Sequence, residues 1–517
     1  GLSQEQIDSV IALYSSGQLS QALGSAQKLT KSFPNNSLLH NITGACYAGL
    51  GKLDNAVKSY EKAIKIDPRY AKAHYNLGNA LHELAIKGFE HLDSPIKSYK
   101  KSIEIDPDYA EAHNNLGNVL KDLGQFNEAI NCYQNAITLH PSYVQAHFSL
   151  GVVLFDLGQF DNSINSYEKA IEINPNFEEV HNKLGNVYRE KGQFDLAIKA
   201  YQKALDINSD YSEAHNNLGN VFTELDLLDD ALGSYKKAVE INPDYPALHN
   251  NLGNTYKKLG DLDSALKSYS KGLTLNSNYI DLLNNLGVVL NDLKKFDQAI
   301  NSYKRAISID PNSAEAYNNL GVTYKELDQL EDAFQFFKMS LKINPDYADA
   351  HNNLGVVLKK LGQIDEAKKS YIKALDLNPD DADTHNNLGI VFSDLGMIDK
   401  AIHSYHQALT IQPDLANAHN NLGHLLCKLN RFEEAKHSYE KALRIKPNLA
   451  YIVGSVVNTK INCCNWDDLV ILINNAKKKI ANNKKVIEPF ILMALIDDPA
   501  LQRQATTIRI DSAYPRS

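Results

Sequence analysis

The sequence predicts an all-α fold, an α-solenoid of about thirteen helix-turn-helix units closed by a helical C-terminal segment. Three observations predict it. A glycine, usually within Asn-Leu-Gly, returns at Gly44, Gly78, Gly117, Gly151, Gly185, Gly219, Gly253, Gly287, Gly321, Gly355, Gly389 and Gly423, spaced by 34, 39 and then 34 throughout. Apolar residues recur at helical spacing in two blocks within each period. A fixed period of this length marks units that bury their apolar faces on their neighbours rather than in one core.

With that glycine as the eighth residue, units start at 3, 37, 71, 110, 144, 178, 212, 246, 280, 314, 348, 382 and 416, and the last ends near 449. In the fourth unit Ala112, Leu116, Val119 and Leu123 mark a first helix, and Ala129, Ile130, Tyr133, Ala136 and Ile137 mark a second. Gly124-Gln125 breaks the chain between them. Where second helices start stand Asp54, Asn127, Asp161, Asp195, Asp229, Asp263, Asp297, Asp365 and Asp399, which are expected to cap the free N–H groups there. Prolines close the units at Pro34, Pro68, Pro107, Pro141, Pro175, Pro243, Pro311, Pro345, Pro379, Pro413 and Pro447, since proline cannot continue the preceding helix. The glycines, with alanines such as Ala197, Ala231, Ala265 and Ala299, allow close helix approach. Tyr60, Tyr99, Tyr133, Tyr167, Tyr201, Tyr235, Tyr269 and Tyr303 are expected to fill the space between units. The third unit, 71–109, departs: it holds five extra residues within 85–93, and Pro95 replaces the usual alanine. We read this as a longer inter-helix loop with Pro95 in the first turn of the second helix. It is either a tolerated insertion or a local contact site.

Composition narrows function. The 517 residues carry a formal net charge of -9, with no cluster of Lys and Arg of the kind a nucleic-acid groove needs, so no nucleic acid is expected. Cys46, Cys132 and Cys427 lie in different units, and Cys463-Cys464 lacks zinc-site spacing, so reduced cysteines in a cytoplasmic protein are expected. No run reaches the ~18 apolar residues of a membrane span, and no basic-then-apolar start marks a signal peptide. The chain begins at Gly1 rather than Met, which leaves room for a removed N-terminal segment. No glycine-rich phosphate loop, nucleophile elbow or metal motif appears, so neither a cofactor nor a catalytic site is expected.

Small residues at two places, an aromatic four after the second and a closing proline form the pattern seen at Gly185, Ala197 and Tyr201, where Ser209 takes the proline's place. The chain therefore resembles the tetratricopeptide-repeat family over residues 3–449. The resemblance implies a right-handed superhelix whose first helices line a concave face. On that face stands a column of asparagines: Asn76, Asn115, Asn217, Asn251, Asn285, Asn319, Asn353, Asn387 and Asn421, interrupted by Ser149 and Lys183. A second column includes Asn114, Asn182, Asn216, Asn250, Asn284, Asn318, Asn352, Asn386 and Asn420. A side-chain amide both donates and accepts, so the first column is the candidate peptide-binding site for an extended backbone. Asparagine bonds between adjacent helices are the alternative.

His40, His74, His113, His147, His181, His215, His249, His351, His385 and His419 share one position but lie a repeat apart, too far to share a metal, and are expected to pack. Glu111, Glu179, Glu213, Asp281, Glu315, Asp349 and Asp383 recur near the start of the first helix. Among tetratricopeptide domains, a clamp for a C-terminal carboxylate uses Lys and Arg on this face. The acids point instead to a basic or neutral peptide.

After residue 449 the period stops. Residues 450–517 read as a helical cap: an amphipathic helix at about 467–483, then a turn at Asp497-Asp498 starting another helix. Cys464-Asn465-Trp466-Asp467, then Pro489-Phe490, then Asp497-Asp498-Pro499-Ala500-Leu501-Gln502 resemble the link to the catalytic region in the SPINDLY and O-linked N-acetylglucosamine transferase family. That resemblance implies the substrate-recruiting part of a protein O-glycosyltransferase, with Ile508-Arg509-Ile510 as the first strand of the catalytic region. It fails at Asp511-Ser512-Ala513 and carries over no catalytic residue. The alternative is a stand-alone adaptor assembling other proteins. Expected partners are proteins or extended peptides, and homo-oligomerisation is left open.

Overall fold

A computed structural model describes residues 2–88 and 91–513, apart from the side chains of residues 490, 494, 512 and 513. Among the described residues there are thirty α-helices and no strand. Two compact units, residues 1–259 and 260–517, each stack helix pairs in chain order.

The fourth repeat shows how the pair forms. Helix Ala110–Asp122 buries Ala112, Leu116, Val119 and Leu120, and helix Phe126–Leu139 buries Ala129, Tyr133 and Ala136. Between them Gly124 takes φ 74. Its N–H donates to Lys121 O at 2.8 Å, and that of Gln125 donates to Leu120 O at 2.8 Å. These two bonds close the first helix with a left-handed residue, the geometry that glycine adopts without strain. Asp226, Lys294, Asp328 and Asn430 hold the same turn with φ of 58–59.

The aromatic ring of the second helix lies on the glycine of its own first helix. A Cβ built on Gly185 would stand 2.5 Å from Cε1 of Tyr201, and one on Gly117 would stand 2.7 Å from Cε1 of Tyr133. The same pairing joins Gly44 to Tyr60, Gly321 to Phe337 and Gly423 to Tyr439. The rings therefore fill the space within a repeat first. They also meet the next repeat, as Tyr133 does in one cluster with Leu150 and Val153.

Two expectations about local structure are corrected. The acids expected as caps sit inside their helices: Lys52 is the N-cap of helix Leu53–Ile66 and Asp54 its second residue, and Gln125 likewise precedes Asn127. The turn already uses the preceding residue's N–H, so the acid falls one step into the first turn, where it complements the helix dipole. Among the described second helices Asp261 alone caps by side chain, accepting from Ser264 N at 3.0 Å. The inserted segment of the third repeat is partly helical, because its first helix runs on to Ile86 as Ala71–Ile86. Pro95 lies in the first turn of helix Asp93–Ile105 as expected, and Phe89-Glu90 lie outside the described residues.

Most successive first helices within a unit touch one another, as Ile280–Asp292 touches Ala314–Glu326, whereas successive second helices among the described residues make no comparable contact. Each stack therefore bends towards its first helices.

In the second unit helix Ile452–Asn462 packs on the last second helix, Phe432–Ile445. Its Ile452, Val453, Val456 and Val457 join Tyr439, Leu469, Ile480 and Ala505 in one core, the packing that a cap requires. Ile508-Arg509-Ile510, expected as a strand, lies in helix Pro499–Ala513. Asp498 accepts from the N–H groups of Ala500 and Leu501 at 3.1 Å each and starts that helix. Ala505 is buried and Leu501 and Ile508 are partly buried, a spacing of four and three that suits a helix facing the core. The short β-branched run has no neighbouring strand with which to pair.

Gly185→Ala tests the ring contact. Alanine is the better helix former by about 1 kcal/mol, yet its methyl would meet a fully buried ring. We expect a net loss of roughly 1–3 kcal/mol, read as a lower urea midpoint by circular dichroism. An unchanged or raised midpoint would show that the ring can move aside.

Candidate peptide-binding face

The first helices present three columns of amides and one of acids. The first column does not stand free. Asn76, Asn217, Asn251, Asn353, Asn387 and Asn421 each donate through Nδ2 to the Oδ1 of the second-column asparagine 35 residues earlier: Asn41, Asn182, Asn216, Asn318, Asn352 and Asn386. The distances are 2.9–3.2 Å. Asn115 donates instead to Asn79 Oδ1 at 2.9 Å and to the Tyr75 hydroxyl at 3.1 Å. Asn319 accepts from Asn318 at 3.4 Å, and Asn285 lies half-buried in the same column. The two sequence columns are thus one ladder of rungs between adjacent repeats. Each rung uses one of the donor's two N–H groups, and an amide's remaining donor and acceptor sites are what a ligand could engage.

A third column escaped the sequence reading. Tyr99, Tyr133, Tyr201 and Tyr235 donate their hydroxyls to Asn79, Asn118, Asn186 and Asn220 at 2.7–2.9 Å. In the last repeat His424 Nδ1 lies 2.9 Å from the Tyr439 hydroxyl. The signal was present as the asparagine directly after Leu-Gly in those repeats. The tyrosine that occupies the glycine's space also fixes the amide beside it.

The histidine column is structural, through a bond the sequence reading did not foresee. Nε2 of His40, His74, His113, His147, His181, His249, His351, His385 and His419 lies 2.8–3.1 Å from the carbonyl of the proline six residues earlier. His215 does the same to Ser209, which stands where proline is usual, at 3.1 Å. Proline has no N–H but keeps its carbonyl, and the imidazole N–H satisfies that carbonyl at the turn into the next repeat. No group of three metal-binding side chains forms among the described residues.

The acids Glu111, Glu179, Asp281, Glu315, Asp349 and Asp383 are exposed. Glu213 is engaged: its Oε1 accepts from Lys183 Nζ and from Asn182 Nδ2, each at 3.0 Å. Asp349, Asn352, Asp380, Asp381 and Asp383 line an acidic recess on the second unit. Lys325 donates to Asn353 Oδ1 at 2.8 Å, and burial pushes its ammonium below the ordinary lysine value. The face can therefore offer amides along its middle and carboxylates along one edge. No described helix is long and apolar enough to cross a membrane.

Three family models match the chain. One, described as TPR repeat, matches residues 44–84, 92–124, 117–158, 153–188, 185–226, 220–260 and 289–328. Two described as Tetratricopeptide repeat match residues 380–448, and residues 246–279, 314–347 and 348–381. Among solved structures, a chain of the APC/C hetero-tetramer Cut9-Hcn1 is similar at 16% identity and TM-score 0.48, over 89% of this chain and 96% of that one. YrrB, titled a TPR protein with an unusual peptide-binding site, is similar at 26% identity and TM-score 0.32, over 36% of this chain and 96% of its own. MamA is similar at 29% identity and TM-score 0.31, over 33% of this chain and 93% of its own. A comparison with curated proteins finds no match.

His424 generates a pH prediction. Burial holds its imidazole below the ordinary histidine value, with Lys428 adding to the effect. Protonation places a charge where burial disfavours it. The folded pKa is lowered, so the stabilisation is present above the unfolded value of about 6.5 and is lost as pH falls below it. We expect the urea midpoint of the chain to drop between pH 7.5 and 5.5. His424→Asn, which supplies the amide used in four other repeats, should remove part of that drop. An equal drop in wild type and variant would place the acid sensitivity elsewhere.

Proposed function

We propose, from the premise that this chain belongs to the tetratricopeptide-repeat family, that its first-helix face holds extended protein segments through the asparagines. The chain is a protein-interaction scaffold, and the finer reading concerns how it grips its partner. The observation that carries it is the ladder itself. Its amides run from Asn41 to Asn251 in the first unit and from Asn284 to Asn421 in the second, on the inside of each stack's bend. Rungs between repeats hold the amides in fixed rotamers, which lowers the ordering cost of binding. Backbone contacts of this kind tolerate many sequences, as a recruiter of varied substrates needs.

The substrates recruited would be those of a protein O-glycosyltransferase. Support comes from the ladder together with the Cys464-Asn465-Trp466-Asp467 segment, whose Trp466 is 62% exposed. Support for the stand-alone adaptor comes from the tail, where the run that the glycosyltransferase resemblance would make a strand is helical. Immobilised chain incubated with cell extract, washed and supplied with labelled nucleotide sugar separates the two. Retained sugar transfer to an acceptor peptide supports the first, and its absence supports the adaptor.

For the face itself, we expect Asn353→Ala, Asn387→Ala and Asn421→Ala together to lower capture of unstructured peptides from a random panel at least fivefold. Each leaves a second-column oxygen without its rung, so we also expect a loss of about 1 kcal/mol per site, small enough to retain helicity by circular dichroism. Unchanged capture with reduced stability would make the ladder purely structural.

A further inference from the structure

Two second-column asparagines lack the rung that their oxygen takes in other repeats, and each lies one helical turn after an acid. Asn114 and Asn284 hold the second-column position and are 1% and 3% exposed, yet their Oδ1 atoms have no hydrogen-bond partner. The residue 35 positions after Asn114 is Ser149, and a serine replaces the amide that donates in other repeats. The residue 35 positions after Asn284 is Asn319, whose own oxygen is engaged by Asn318. A buried acceptor without a donor is unfavourable. Three residues before each stands an exposed carboxylate, Glu111 and Asp281, and neither forms an ion pair. Residues three apart share a helix face, so each place pairs a charged acceptor with an unsatisfied neutral one. In the helix Ile280–Asp292 a further orphan, Asn291 Oδ1, lies two turns along the same face.

The chain contains its own precedent for what settles there. At the rung of Lys183 the ammonium docks on Glu213, and Asn182 donates to the same carboxylate oxygen. A cation beside a second-column asparagine is thus compatible with this face. At Asn114 and Asn284 no described residue supplies such a cation.

We propose that these two places receive arginine side chains of a bound peptide, the guanidinium donating to Asp281 and Asn284 in one unit and to Glu111 and Asn114 in the other. A guanidinium presents five N–H groups in a fixed plane and can serve two acceptors at once, whereas a lysine ammonium is a point donor. The buried amide oxygens turn to meet it about χ2, a broad torsion with no sharp staggered wells. The proposal rests on the reading that the first-helix face holds extended peptides.

The test uses the full chain and fluorescence anisotropy. The probes are three labelled Gly-Ser nonapeptides with arginine, lysine or citrulline at the centre. We expect the arginine peptide to bind at least tenfold more tightly than the citrulline peptide and at least threefold more tightly than the lysine peptide. Asn114→Leu with Asn284→Leu should cut the arginine preference at least fivefold and retain helicity by circular dichroism, since the unpartnered oxygens go together with the Asn114–Asn115 bond. Glu111→Gln with Asp281→Asn should cut it without changing the urea midpoint. Equal binding of arginine and citrulline peptides overturns the arginine receptor and leaves the peptide face intact. A preference that survives all four substitutions overturns the assignment to these places. Binding of none of the three peptides overturns both readings. Lysine binding as tightly as arginine overturns the role of the guanidinium fork.

Discussion

The contact between a first-helix glycine and a second-helix ring constrains everything else in this fold. With 2.5 Å between a hypothetical Gly185 Cβ and the Tyr201 ring, no side chain fits between the two helices, and their separation is set by the thickness of one aromatic ring. The ring's hydroxyl then reaches Asn186 on the first helix. One residue thus sets the helix spacing and orients an amide on the first-helix face. Because the ring also meets the next repeat, the same contact fixes how repeats follow one another. Packing of this density leaves little slack, so the first-helix face inherits its geometry from the core.

Much of this was legible in the sequence. Period, helix pairs, turn glycines and closing prolines are local features, and local periodicity reports them directly. The helix starts were misplaced because capping by Asp54 or Asn127 depends on one residue's difference in where the turn ends. The strand expected at Ile508-Arg509-Ile510 rested on the resemblance to the glycosyltransferase family, and packing of Ala505 against the core decided for a helix. For the site, the asparagine columns were visible, but not that Asn217 donates to Asn182. That bond joins residues 35 apart and depends on how repeats stack. The histidines were read as packing residues, correctly in place but without the proline carbonyl that each one satisfies. That carbonyl's need for a donor follows from general chemistry. Its position six residues upstream follows only from the folded turn.

Charge on the first-helix face is arranged by edge rather than by total. The acids of the second unit, Asp281, Glu315, Asp349 and Asp383, recur at one position of successive first helices, and the acidic recess continues the same edge. Surface ion pairs such as Lys191–Asp161 and Lys294–Glu326 lie between repeats, and exposed pairs of this kind contribute little individually. The acids along this edge therefore contribute to the charge of the face more than to stability.

The rungs also have a mechanical meaning. Within a stack each repeat touches chiefly its neighbours, so a pull along the stack passes through every junction in series. Each closed rung adds a cross-link at the inner edge of its junction. The junctions after Asn114 and Asn284 lack that cross-link, and so does the one where Phe148 and Lys183 take the two ladder positions. A junction without the cross-link resists a pull through helix packing alone, so the ladder grades stiffness along each stack.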